Sequence, residues 1–127
     1  MFAVSPERAY TLNLEHMDIA YRPEPDLSAE QFRDVLVAST LGERRPVGDL
    51  ERLDAMLRNA DIVITARAES RLVGVARAIC DFAYCCYLSD LAVAAEHQRC
   101  GIGRKLLEMT RQAAGPQASP VRPTVLG

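Results

Sequence analysis

The 127-residue chain has no tryptophan, a single lysine (Lys105) and no long apolar run. A membrane-spanning helix needs about 18 apolar residues in succession, so no membrane span is expected. Charge of one sign is also missing. The net charge is −2, which predicts neither nucleic acid nor an anionic lipid surface as a partner. Low-complexity segments and repeats are absent, and 49% hydrophobic with 25% charged residues is ordinary globular usage. Cysteine is sparse, at Cys80, Cys85, Cys86 and Cys100. A secreted disulfide scaffold would be denser in it, so the apolar neighbours of these residues predict buried free thiols in a reducing compartment. Cys80, Cys85, His97 and Cys100 lack the paired spacing of a zinc site, and no metal is expected. The opening MFAVSPERAY holds charges and no apolar core, unlike a secretory signal, so a cytoplasmic location is expected.

What is present is a chain of about the modal size for one domain. Tyr10 to His16 (YTLNLEH) alternates like a half-buried strand. Tyr21 to Asp26 (YRPEPD) carries two prolines and predicts a loop. Ser28 to Thr40 predicts a helix, with Ser28 and Gln31 as a capping box and Phe32, Val35, Leu36 and Ser39 on one face. A second helix is predicted from Asp49 to Asn59, with Leu50, Leu53, Met56 and Leu57 as its stripe. Ile62 to Ala68 and Leu72 to Cys80 predict a hairpin across Glu69-Ser70-Arg71. Tyr84 to Ala94 predicts a third strand, mostly apolar and hence central. From Gly103 to Ala114 the pattern turns helical, with Leu106, Leu107, Met109, Thr110 and Ala113 facing the core. The order is that of an α/β (α+β) domain: an antiparallel meander, then strand, Gly loop and helix. The last stretch, 116–127, holds three prolines and predicts an irregular tail without a returning parallel strand.

The chemistry concentrates where the third strand meets that helix. Leu91-Ala92-Val93 is followed by Gln98-Arg99-Cys100-Gly101-Ile102-Gly103-Arg104-Lys105. A Gly loop at a helix N-terminus aims several backbone N–H groups at one point, where the helix dipole is positive. Gly101 and Gly103 permit positive φ and close backbone approach, and Arg99, Arg104 and Lys105 add charge. The place suits a pyrophosphate. A dinucleotide fingerprint needs a third glycine where Leu106 stands, and a Walker loop needs a Gly-Lys-Ser/Thr that is absent.

QRCGIGRKLL resembles the Q/R-x-x-G-x-G/A signature of the GNAT superfamily of acyl-CoA N-acyltransferases, and DLAVAAEHQ looks like that family's approach to it. The resemblance spans roughly residues 8 to 115, so residues 1–115 are expected to form a GNAT-like domain with acetyl-CoA as cosubstrate. It implies that Leu91, Ala92 and Val93 pair with the pantetheine arm. It implies that Gln98, Arg99, Cys100, Gly101, Ile102, Gly103, Arg104 and Lys105 surround the pyrophosphate. It further implies a bulge that splays this strand from its neighbour, a strand N–H that stabilises the oxyanion, and a base and an acid to move protons. Asp90, in an apolar strand beside the motif, is the candidate base; the structural alternative is a carboxylate satisfied at the bulge. Tyr84 and Tyr87 are candidates for the acceptor wall or for plain packing. Glu96 and His97 are expected to be solvated, and Cys100 an exposed loop thiol.

Against the family pattern, a further strand, a helix and a final hairpin are missing, and no tyrosine follows Tyr87 to serve as the acid. The expected activity is acetyl transfer to a primary amine of a small molecule or peptide by direct attack. The alternative is a catalytically impaired acyl-CoA-binding or interaction module. An open sheet edge would predict a homodimer.

Overall fold

The computed structural model describes residues 18–118 and 121–123. The strand expected at Tyr10 to His16 lies outside them. One five-stranded sheet runs in the order β1-β2-β3-β4-β5: β1 Ile19–Pro23, β2 Ile62–Ala68, β3 Arg71–Cys80, β4 Cys86–Val93 and β5 Arg122–Pro123. Each of the first four is antiparallel to its neighbour, and β5 lies parallel to β4. The helices are α1 Ala29–Ala38, α2 Leu50–Arg58 and α3 Ile102–Ala114. No helix among the described residues is long and apolar enough to cross a membrane.

The caps follow the sequence. Ser28 accepts the N–H of Gln31 at the start of α1, and Asp49 accepts that of Arg52 at the start of α2. Glu69 and Ser70 both take positive φ, the geometry of a two-residue turn whose twist suits a hairpin. Strand alternation divides the core. On one face α1 and α2 pack Phe32, Leu36, Leu53 and Leu57 against Val63 and Val75. On the other, α3 packs Ile102, Leu106 and Ala114 against Ile64, Ala66, Val73, Ala76 and Leu88. Each such large side chain contributes about 1.5–3 kcal/mol when fully buried. Ala113, expected in that core, is exposed, and Ile102 and Ala114 take the buried positions instead.

Two expectations are corrected at the sheet edges. Tyr21, Arg22 and Pro23 belong to β1, not to a loop, with Pro23 opposite Ile64. A proline fits there because, among the described residues, β1 pairs on one side only, so no ladder donor is lost. The tail also supplies a parallel return, though only two residues long, pairing Tyr87 with Arg122 and Leu88 with Pro123. A proline again sits on an edge strand.

Two features place the loop that follows β4. At Gly74 of β3, a Cβ would stand 3.1 Å from Leu106 Cδ1 and 3.2 Å from Ile102 Cγ2, so glycine lets the first turns of α3 lie close on the sheet. In β4 the register shifts: Arg77 faces Asp90 and Ala78 faces Leu88, which leaves Ser89 as the extra residue of a bulge.

Candidate functional site at the end of β4

The β4 bulge is held from the α1–α2 side. Arg45, in the link between those helices, donates from Nε to Asp90 Oδ1 at 2.5 Å and from Nη2 to the Ser89 carbonyl at 2.8 Å. Arg77 donates from Nε to Asp90 Oδ2 and from Nη2 to Ser89 Oγ at 2.9 Å. Asp90 has no exposed surface. Both its oxygens are engaged by guanidinium groups. That is the structural alternative named above, a buried anion anchoring a bulge, and its geometry does not offer a free carboxylate to a substrate proton.

Among the described residues β4 and β5 pair only at Tyr87 and Leu88. From the bulge onward the outer side of β4 therefore faces a notch. Leu91 is 38% exposed there. A cavity of about 230 Å³ lies beside it, lined by Leu91, Val93, His97, Gln98, Arg99 and Gly103. Gln98 reaches back along it, and its side-chain amide donates to the Val93 carbonyl at 2.9 Å.

The notch ends on the N-terminus of α3, which differs from those of α1 and α2. The other two helices have side-chain caps and an acidic residue in the first turn, Glu30 and Glu51. α3 has Gly101 as its cap residue, no side-chain cap and no acid in its first turn. Its first N–H groups thus lack the intrahelical and capping partners that usually satisfy them. Arg99, Arg104 and Lys105 stand exposed around this end. No ion pair engages any of the three among the described residues. Open N–H groups, the positive end of a helix dipole and three cations without ion pairs among the described residues make this end electropositive, an arrangement that suits an anion.

The loop's backbone departs from the expected one. Gly101 has φ +83°, as required, but Gly103 is helical, and the second left-handed residue is Arg99 at φ +69°. Alternation of left-handed residues turns successive N–H groups toward one concavity, and a non-glycine there carries a cost of about 1–2 kcal/mol. A Cβ on Gly103 would meet only Val93 Cγ2, at an ordinary contact distance of 3.8 Å, so neither backbone conformation nor close packing requires glycine there.

His97 was expected in solvent with Glu96, but it is 6% exposed. Its backbone N–H closes a tight turn on the Ala94 carbonyl at 2.8 Å. Its Nδ1 has no hydrogen-bond partner among the described residues; Glu96 is 3.9 Å away and is drawn to Arg71 at 2.5 Å. Flanked by Glu96 and Gln98, the ring gave no local sign of burial. Cys85 and Cys100 are exposed, whereas Cys80 and Cys86 are buried cross-strand neighbours. Burial pushes the Cys86 thiol up to about 12, which makes it inert near neutrality. Tyr84 and Tyr87 both reach solvent and lie at the far end of β4 from the loop.

A family model described as an acetyltransferase (GNAT) domain matches residues 59–124. Curated proteins give no match. Among solved structures, a GNAT family acetyltransferase from Streptococcus pneumoniae is similar over 86% of this chain and 76% of its own, at 21% identity and a TM-score of 0.71. An aminoglycoside acetyltransferase from an uncultured soil sample, solved with sisomicin, is similar over 84% and 77%, at 24% identity and TM-score 0.63. An N-acetyltransferase from Thermoplasma acidophilum, solved with coenzyme A, is similar over 77% and 72%, at 21% identity and TM-score 0.62. These structures share the fold, and the family match covers the hairpin, the bulged strand and the loop just described. The chain belongs to the GNAT family of acetyltransferase domains.

Proposed function

We propose that this chain binds acetyl-CoA in the β4 notch and transfers its acetyl group to a primary amine. The observation that carries this reading is the N-terminus of α3: uncapped by a side chain, free of acid in its first turn, and ringed by Arg99, Arg104 and Lys105, which have no ion-pair partner among the described residues. Those groups would hold the pyrophosphate, with the N–H groups of the loop from Arg99 to Arg104 beneath it. The outer side of β4 would take the pantetheine arm like an added strand. An arm pairing at Val93 has to displace the Gln98 amide from that carbonyl, while Leu91 lies open to it. The relatives solved with coenzyme A and with an aminoglycoside support the cosubstrate and the amine class.

In this reading the amine attacks the thioester carbonyl beside the bulge. The C–N bond forms, the C–S bond breaks, the ammonium proton leaves to a base, and the thiolate is protonated as it departs. Asp90 fills the base role poorly, because two arginines already occupy its oxygens. That same fact favours a second reading, a CoA-binding module without turnover. Melting the protein with excess CoA, then following thiol release across a panel of amines, separates them. Stabilisation with turnover supports the first reading, stabilisation without turnover the second, and no stabilisation at high CoA rejects both.

A further inference from the structure

We propose that Arg45 is a positioning residue for acetyl transfer, coupling the α1–α2 link to the bulge of β4. The inference rests on the acetyltransferase reading above. Arg45 is far from β4 in sequence, in a stretch with no chemical motif, yet its guanidinium spends every nitrogen on a fixed partner. Nε holds Asp90 Oδ1 at 2.5 Å, Nη2 holds the Ser89 carbonyl at 2.8 Å, and Nη1 holds the Arg44 carbonyl at 2.9 Å. The Arg45 side chain is 10% exposed and that of Asp90 is fully enclosed, so water competes little for these bonds.

The two residues it grips are the bulge itself: Ser89 is the inserted residue and Asp90 the next. A bulge leaves its extra residue without a regular ladder partner, so its peptide orientation is set by whatever else holds it. Here one guanidinium fixes the Ser89 carbonyl from the helix side, while Arg77 fixes the Ser89 hydroxyl and the other Asp90 oxygen from β3. Arg45 also brings the charge of the buried group from neutral, for Arg77 with Asp90, to a surplus of one positive. That surplus lies beside the strand where negative charge develops on the thioester oxygen and the leaving sulfur. It favours the transition state over the neutral ground state. Lysine would keep the charge but cannot grip a carboxylate and a carbonyl through one planar fork.

The test compares the wild type with Arg45→Gln and Arg45→Lys. Three quantities are read: CoA affinity by calorimetry, kcat and KM for the amine, and amide hydrogen exchange across 88–92. In Arg45→Gln, kcat should fall about a hundredfold, the scale of a misplaced reacting group, with CoA affinity within about threefold of wild type. Arg45→Lys should recover part of kcat, and exchange at the bulge should rise about tenfold in both variants while β3 stays protected. Unchanged kcat in folded Arg45→Gln overturns the proposal. So does a parallel loss of CoA affinity and kcat, which marks a merely structural residue. If Arg45→Gln does not fold, Arg45→Lys decides alone, by lower kcat at unchanged CoA affinity. If the wild type transfers no acetyl group, the acetyltransferase reading has failed and the role in transfer falls with it. Bulge exchange then reports, independently, whether Arg45 holds the strand.

Discussion

Glu24 and Arg67 meet in a two-pronged ion pair, Oε2 to Nη2 at 2.6 Å and Oε1 to Nε at 3.0 Å. The pair joins the exit of β1 to β2, and Thr65 adds a hydroxyl bond to Glu24 Oε1 at 2.7 Å. The Arg67 hydrogen bond, helped by Thr65 and opposed by burial, pulls the Glu24 carboxyl down to about 2. A carboxylate depressed on folding stabilises the protein fully above its unfolded value, near 4.5. That stability is lost as pH falls from there through about 2. With a side chain 11% exposed, it is worth up to roughly 3 kcal/mol. Urea unfolding between pH 6 and pH 2.5 should therefore show a steep acid limb in the wild type. In Glu24→Gln the limb should be flatter, over a lower plateau at pH 6. Parallel limbs would place the acid sensitivity elsewhere.

Gly74 makes a packing prediction that reaches the loop. A methyl group there meets Leu106 and Ile102 at 3.1 and 3.2 Å, side chains pinned between α3 and the sheet. Gly74→Ala should destabilise by about 1 kcal/mol and Gly74→Val by up to about 3 kcal/mol, as overpacking does. Because Ile102 opens α3, the strain lifts the helix N-terminus as well. CoA affinity in folded Gly74→Ala should drop several-fold, measured by calorimetry well below the melting temperature. Intact affinity would mean that the loop does not ride on this contact.

Gly101 separates strain from function. Its φ is +83°, and nothing lies within 4 Å of a Cβ built there. Gly101→Ala thus costs about 1–2 kcal/mol of backbone strain and no clash. Gly101→Glu adds an anion where phosphate should bind, although a carboxylate at a helix N-terminus is itself favourable for the helix. The two variants should melt within a few degrees of each other. CoA binding should weaken modestly in the first and by well over about tenfold in the second. Equal affinities would remove the phosphate site from this loop.

The sequence carried what is local. Ser28 as a cap, the β-branched run Ile62–Ala68 and the turn at Glu69-Ser70-Arg71 each announce themselves within a few residues, and the structure has them, with two differences: Gln31 Oε1 accepts from Arg67 rather than closing the capping box, and Arg71 already belongs to β3. The turn into α3 was legible for the same reason, since Gly101 takes the positive φ that its type allows. What failed depended on neighbours distant in the chain. YRPEPD reads as a loop until β2 supplies a partner on the one side that Pro23 leaves usable. His97 looks solvated between two polar residues, and only the fold buries it and brings it to the same cavity as Leu91 and Val93. For Asp90 the sequence shows an apolar strand but not what holds the carboxylate. Its partners Arg45 and Arg77 lie 45 and 13 residues away, where no periodicity points to them.

Asp90 itself gives the sharpest contrast between an anchor and a base. Asp90→Asn keeps the shape but leaves two enclosed guanidiniums facing a neutral amide. Breaking a buried pair in this way costs about 3–5 kcal/mol, so the melting temperature should fall markedly. A base would behave differently. Its loss lowers kcat, barely changes stability, and removes the acid limb of the pH–rate profile. With an anchor, stability falls most, and the limb keeps its midpoint in whatever activity remains. Asp90→Glu sharpens the comparison, because it restores the charge while moving the carboxylate by one methylene. It should regain part of the lost stability if the pairs with Arg45 and Arg77 matter. A folded, stable Asp90→Asn without an acid limb would return Asp90 to the catalytic role.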